Sequence, residues 1–266
     1  MHNMTQIKDK NILITGGASG IGKIMTRICL DKGAKNIIVW DLNPQGAEND
    51  PRVHAYKVNV ASPDDISQTY ATVKEEVGQV DVIINNAGIV RGNRTFDQQT
   101  PQDIILSMDV NATAPMLVAQ AIMPDMMARN SGHICNIASA AGMLGVPKLS
   151  VYCASKWAVV GWTESMRIEL KQAKSKVKAT VITPYFINTG MFDGVQSKIF
   201  PILDPDKTAA KIIRAIEKDR DFKGIPFPEH FIRFWQGVLP YGIFDWFFGK
   251  VFGVYEVMDH FTGRKA

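Results

Sequence analysis

The segment TGGASGIG at 15–22 restricts the fold more than any other stretch of this 266-residue chain. It stands between a short apolar run, Asn11–Thr15, and a helix-like stretch at 20–32. An unbroken apolar run is the pattern of a strand buried on both faces, and such strands belong to parallel sheets covered by helices. Glycines at the strand-to-helix turn let the backbone come close to a ligand. The helix start beyond them offers free N–H groups and a positive dipole end to an anion. The segment therefore reads as a pyrophosphate-binding turn. A merely flexible turn is the alternative, and the strand before and helix after favour binding.

The alternation continues along the chain. Strand-like runs occur at 36–41, 53–60, 80–85, 132–138 and 178–183. Ser62, Pro63, Asp64 and Asp65 form a strong helix start: a hydroxyl cap, a proline at the first helical position, and two acids at the positive end. Further helices are expected over 102–127, ending near Lys171, and over 204–219 behind Asp204. Strands and helices alternating at this spacing make βαβ units, and right-handed crossovers wind them into one sheet with helices on both faces. The expected fold is α/β, a single Rossmann-type doubly wound parallel sheet. One domain spans 1–266, with a core over about 9–221 and an aromatic-rich C-terminal extension over about 222–266.

The second strand ends at Asp41. A carboxylate there is placed to accept hydrogen bonds from the adenosine ribose and repels a 2′-phosphate, so NAD is expected and NADP is less favoured. A solvated strand-end acid is the bland alternative. Lys23 could assist a 2′-phosphate, but Asp41 holds the nearer place.

YCASK at 152–156 falls on an expected helix, where residues four apart share a face. A free tyrosine has a pKa of about 10 and is a poor base at neutral pH. The ammonium of Lys156 beside it is expected to favour the phenolate. Tyr152 then takes a proton from an alcohol, or gives one to a carbonyl. Alone, such a pair occurs by chance in many helices. Ser139 follows the fifth strand at the carboxyl edge where open α/β sheets bind ligands, and NNAG at 85–88 ends the fourth strand at the same edge. Asn111 lies within an expected helix, either as a side-chain-bonded residue or at a bend that exposes a carbonyl to a relay water.

With TGGASGIG, NNAG and YCASK in place, and Ser139 thirteen positions before Tyr152, the chain from Lys10 to about Asp219 resembles the short-chain dehydrogenase/reductase family. The resemblance implies a catalytic tetrad of Asn111, Ser139, Tyr152 and Lys156, with Lys156 also holding the nicotinamide ribose. It implies cofactor contacts from Gly16, Ser19, Gly20, Ile21 and Gly22 of the turn, and from Asp41 and Leu42. Asn59 and Val60, then Asn86, Ala87 and Gly88, continue that set. Pro184, Ile187 and Thr189 close it beside the carboxamide. Two positions depart from the family pattern. Asn59 replaces the usual Asp, and its amide oxygen can still meet adenine; Tyr185 replaces the usual glycine after Pro184 and adds a side chain at the pocket.

The stretches 187–194 and 254–264 resemble a subgroup acting on retinol, long-chain alcohols and related lipids. The implied function is NAD-dependent interconversion of an apolar alcohol and its aldehyde or ketone. A non-catalytic NAD-binding regulator, or a lipid-surface protein retaining the fold, is the alternative. Expected substrate contacts are Ser139, Met143, Tyr152, Tyr185, Met191 and Phe192, in loops that are apolar around one oriented oxygen. Burial of those apolar loops beneath a lid is the competing reading.

The net charge of +4 comes without a basic block interleaved with aromatics, which argues against nucleic acid. Three scattered cysteines and five dispersed histidines show no ligand spacing, so no metal is expected, and a reducing compartment is. The first ten residues lack an apolar h-region, and no uninterrupted apolar run has bilayer length. A cytoplasmic homodimer or homotetramer is expected. The extension after Phe222 carries about half of the chain's aromatic residues. It is read as a cover for the site, a subunit interface, or a peripheral membrane contact aided by Lys250, Arg264 and Lys265. Members of the resembled subgroup often carry an N-terminal hydrophobic anchor, which this chain is expected to lack; burial of the extension is therefore the favoured reading.

Overall fold

The computed structural model describes residues 4–198 and 200–263; Arg264 and Lys265 lie outside the described residues. Seven strands make one parallel sheet: β1 Asn11–Thr15, β2 Asn36–Asp41, β3 Val53–Lys57, β4 Val82–Asn85, β5 His133–Ile137, β6 Lys178–Pro184 and β7 Phe222–Ile225. Their spatial order is β3-β2-β1-β4-β5-β6-β7, so the winding reverses between β1 and β4. That reversal opens a crevice at the carboxyl edge of the sheet, where this architecture binds ligands.

Successive residues of a strand face opposite sides, and β1 shows the result directly. Ile12 and Ile14 pack on one face with Met25 and Cys29 of helix α1 (Gly20–Asp31) and Ile212 and Ile216 of α6 (Pro205–Glu217). Leu13 packs on the other with Ile66 of α2 (Pro63–Glu76), Ile122 of α4 (Ala114–Ala128) and Met166 of α5 (Ser150–Gln172). Each such fully buried side chain contributes about 1.5–3 kcal/mol of apolar transfer. The expected helix starts are capped: Ser62 Oγ accepts from the Asp65 N–H at 3.2 Å, and Asp204 Oδ1 from the Lys207 N–H at 2.8 Å.

Three differences from the sequence reading have local causes. β3 stops at Lys57, because the chain turns at Asn59, whose Oδ1 accepts the Ala61 N–H at 3.1 Å. The expected helix over 102–127 is α3 (Pro101–Met108) and α4 joined by a π-helical turn, Asp109–Thr113. This helical stretch, Pro101–Ala128, is long and apolar enough to cross a membrane by length and composition alone. In the fold, Val118, Ile122 and Met126 are spent on the sheet. β7 is an edge strand that reads poorly in sequence because Lys223 and Gly224 interrupt its four residues.

After β7 come short pieces, among them α7 (Ile232–Val238) and α8 (Tyr241–Asp245). Ile232, Phe244, Val254, Val257 and Met258 are buried in a third core with Met143, Leu144, Val146, Leu149 and Tyr152. The extension thus covers the loop that carries Ser139. Phe248, Phe252 and Phe261 pack against this core, while Phe227, Phe234, Tyr241 and Trp246 face outward.

Candidate active site

The crevice at the sheet's carboxyl edge is lined by Gly16, Ser19, Gly20 and Ile21 from the first turn and by Asn86, Ala87 and Gly88 beyond β4. Ser139, Tyr152 and Lys156 line its middle, and Pro184, Tyr185, Ile187, Thr189, Met191 and Phe192 its far wall. Sixteen of the residues singled out from sequence therefore meet in one cleft.

The first turn is built by close packing. Gly16 and Gly20 adopt φ of +65° and +51°, a region costly for residues with a Cβ. A Cβ on Gly22 would lie 2.1 Å from Gly16 O, so this glycine is needed for the helix to pass under its own loop. Asn86 ties the turn to β4: its Nδ2 donates to Thr15 O at 3.0 Å and to Gly16 O at 3.2 Å. Thr15 Oγ1 accepts the N–H groups of Asn86 and Ala87, each at 3.0 Å. Asp41 Oδ2 accepts the Ala18 N–H at 3.1 Å, and Oδ1 accepts from Asn43 at 3.0 Å, so the acid also fixes the loop.

The start of α1 fits an anionic ligand. Ser19 at its N-cap makes no side-chain cap bond, and its first turn holds no acid. By contrast α2, α3 and α6 are each capped by a side chain: Ser62, Thr100 and Asp204. The first N–H groups of α1 therefore face the cleft without a side-chain acceptor, as a pyrophosphate site requires.

Tyr152 and Lys156 sit one turn apart on α5, almost fully buried. Lys156 Nζ donates to Ile137 O at 3.0 Å and lies 5.7 Å from the Tyr152 ring centroid. Burial brings the Lys156 pKa down to about 8. Burial also pushes the Tyr152 phenol well up, while the Ser139 hydroxyl draws it down by less. The direction is opposite to the one expected from the lysine: desolvation of the ring dominates, and Lys156 is not among the groups that move it. Phe192 stands edge-on to Tyr152, with centroids 5.8 Å apart, and helps to keep water from the phenol.

Ser139 caps the 3-10 turn Ala140–Gly142, accepting the Ala141 N–H at 3.2 Å. Asn111 lies in the π-helical turn, almost fully buried. Its Oδ1 accepts the Ile89 N–H at 2.8 Å and its Nδ2 donates to Ile89 O at 2.9 Å, so the amide clamps the irregular segment following NNAG. The helix does bend here through the π turn, a local geometry frequent at functional sites, and Asn111 is also side-chain-bonded.

Several expected residues stand elsewhere. Met143 is only 1% exposed and packs in the core beneath the extension, so it does not line the cleft. Leu144, Val146 and Leu149 are buried with it, which makes most of that loop a packed lid support. Gly22 lies beneath the turn rather than in the cleft, and Val60 is buried in the sheet's second core. Leu42 and Asn59 are exposed beyond the β2 and β3 ends, outside the cleft lining, and the Asn59 oxygen already holds Ala61. Thr15 and Ile137 were missed, although each is the final residue of a strand that runs into the site.

Comparison with known proteins shows the family and the fold. The family model described as short chain dehydrogenase matches residues 10–199. Epidermal retinol dehydrogenase 2 of Mus musculus is 38% identical over 270 residues, covering 96% of this chain and 85% of the relative. Estradiol 17-beta-dehydrogenase 11 of Homo sapiens is 33% identical over 238 residues, covering 86% and 79%. Among solved structures, a short-chain dehydrogenase/reductase from Burkholderia phymatum in complex with NAD superimposes with a TM-score of 0.78 at 22% identity, covering 88% of this chain and 95% of that one. A short chain dehydrogenase from Burkholderia cenocepacia J2315 in complex with NADP matches with the same TM-score, identity and coverage.

Proposed function

Because the chain belongs to the short-chain dehydrogenases, oxidoreductases that interconvert alcohols and carbonyls, we propose that it is an NAD-dependent enzyme for an apolar alcohol, with Tyr152 as acid/base. One observation carries the reading: Ser139, Tyr152 and Lys156 share a cleft with an uncapped helix start. When bound, the oxidised nicotinamide supplies the hydride acceptor and a positive charge. Gly16 to Ile21 would hold its pyrophosphate, and Lys156, Pro184, Ile187 and Thr189 its nicotinamide end.

Ser139 Oγ positions the substrate oxygen beside the phenol. Tyr152 takes the hydroxyl proton as the carbonyl forms, or returns it in reduction. Burial opposes ionisation of the phenol, so positive charge at the site is needed to make it a base. Lys156 is held by Ile137 O with its ammonium 5.7 Å from the ring centroid. Asn111 positions the Ile89 segment rather than touching the phenol. Asp41 supports NAD over NADP, since a 2′-phosphate would meet its carboxylate beside Ala18. Met191, Phe192 and Tyr185 make the substrate side apolar, which agrees with retinol and estradiol in the relatives' names.

Tyr152→Phe should lose more than a hundredfold in turnover of long-chain alcohols while binding NADH within about threefold of wild type, since general acid–base catalysis contributes about 10²–10⁴. Retained turnover would sink the role of Tyr152. NADH binding by wild type without turnover of any alcohol, retinol or steroid would favour a regulator.

The same reading places the protein in the cytoplasm as a homodimer or homotetramer, with lipid contact through the extension. Tyr241 is 89% and Phe227 64% exposed, and Trp246 is exposed as well. Such rings suit a membrane interface. Liposome flotation that does not change when Phe227, Tyr241 and Trp246 are replaced together by Ser would remove that contact.

A further inference from the structure

A second cavity of about 620 Å³ lies under the C-terminal extension. That volume is within the range of small-molecule sites. Its wall is almost wholly apolar, with Leu144, Phe231, Trp235, Phe248 and Phe252 among its residues. Tyr185 lines both this cavity and the cleft that holds Tyr152, so the two spaces meet at one side chain. The Tyr185 hydroxyl is engaged, donating to Ser197 Oγ at 2.9 Å.

One residue does not match the wall. Glu229 lines the cavity, is only 1% exposed, and neither carboxyl oxygen has a hydrogen-bond partner among the described residues. The Ile225 backbone and the Thr183 hydroxyl lie near enough to draw its pKa down, though neither meets hydrogen-bond geometry among the described residues; burial dominates and drives the pKa well up. Burial therefore favours the neutral carboxyl, and its O–H meets no acceptor in hydrogen-bond geometry among the described residues. The backbone makes room for it: a Cβ on Gly224 of β7 would lie 2.9 Å from Glu229 Cβ. A buried polar group without a partner costs about 1–3 kcal/mol, so its presence here calls for a ligand that completes it.

We propose that this cavity binds the hydrocarbon chain of an uncharged, oxygen-bearing lipid, and that the Glu229 carboxyl donates a hydrogen bond to its oxygen. The aromatic wall accepts the chain, and the acid selects a neutral acceptor over a plain alkane. A carboxylate head would bring an unpaired charge into a wall without a cation. The inference rests on the proposed function only in taking the occupant from the substrate's chemical class; binding here requires neither cofactor nor turnover.

The test uses full-length protein, without NAD, and a long-chain alcohol carrying a mid-chain diazirine. Photolysis followed by peptide mass spectrometry should place adducts within 227–254. Tyr152→Phe should give the same map, so the cavity is judged even if the dehydrogenase reading fails. Adducts confined to 186–196 or scattered over the surface overturn the proposal. Competition against the photoprobe then isolates Glu229. Dodecanol should compete about tenfold better than dodecane in wild type and Glu229→Gln, the fold-change of one buried hydrogen bond. In Glu229→Leu the two should compete equally. Equal competition in wild type overturns the donor role, and so does tightest binding by dodecylamine, which would make the site a cation cage. Leu144→Phe, which narrows the cavity without touching Glu229, should weaken labelling of 227–254; unchanged labelling counts against the site.

Discussion

Replacing Gly22 by Ala tests the cofactor turn most directly. The new Cβ would lie 2.1 Å from Gly16 O and 2.9 Å from Gly16 C, and 2.7 Å from Asn86 Nδ2. Carbon contacts are comfortable near ~3.5 Å, so the turn must move by about 1 Å. Two of the three atoms are backbone, and they cannot rotate away. Overpacking of this kind costs about 1–3 kcal/mol. Alanine in a helix returns up to about 1 kcal/mol over glycine. Packing wins, and a net loss of about 1–2 kcal/mol corresponds to a Tm lower by about 2–8 °C for a chain of this size. The displaced turn should weaken NADH binding by tenfold or more, because misplacement of about 1 Å can cost a hundredfold. Gly161→Ala is the matched control. It is exposed in α5, and its Cβ would meet nothing within 4 Å, so only the helix gain remains: about 0.5–1 kcal/mol of stabilisation and unchanged NADH binding. Thermal unfolding with NADH fluorescence titration reads both. A Gly22→Ala protein that melts and binds NADH like wild type would refute the close-packed turn.

Lys156 makes a prediction about pH. Its pKa in the folded chain is down to about 8, against about 10.4 in a free chain, so between those values the unfolded state holds more protons and stability rises with pH. Below about pH 8 both states are protonated and the burial cost is constant. Lys156→Met should therefore lose ground to wild type by up to ~3 kcal/mol as pH rises from 8 to 10.5 in urea unfolding, and a flat difference would contradict the burial cost. At Asp41, substitution by Asn removes the repulsion of a 2′-phosphate and keeps an oxygen for Ala18. The ratio of kcat/KM with NAD to that with NADP should fall at least tenfold, followed by nicotinamide absorbance; equal use of both by wild type would end the argument from Asp41.

The strands β1 and β2 were legible to the residue because their side chains are apolar without interruption. The caps at Ser62 and Asp204 were legible because capping depends on three or four adjacent residues. β7 was not, since its pairing with β6 compensates for Lys223 and Gly224 only once the sheet exists. The grouping of Ser139 and Lys156 with Tyr152 was visible as spacing, whereas the burial of Met143 was not. An apolar loop residue reads alike whether it faces a ligand or a core.

The sequence by itself determined the order of the first six strands, the glycine turn, and the placing of Ser139, Tyr152 and Lys156 near one sheet edge, because these follow from local periodicity and steric freedom. Tertiary structure alone decided the charge state of the site. The upward pKa of Tyr152, the downward pKa of Lys156 and the unpartnered acid Glu229 all come from desolvation by segments distant in the chain. Desolvation depends on everything packed around a group, and no stretch of neighbouring residues carries that sum.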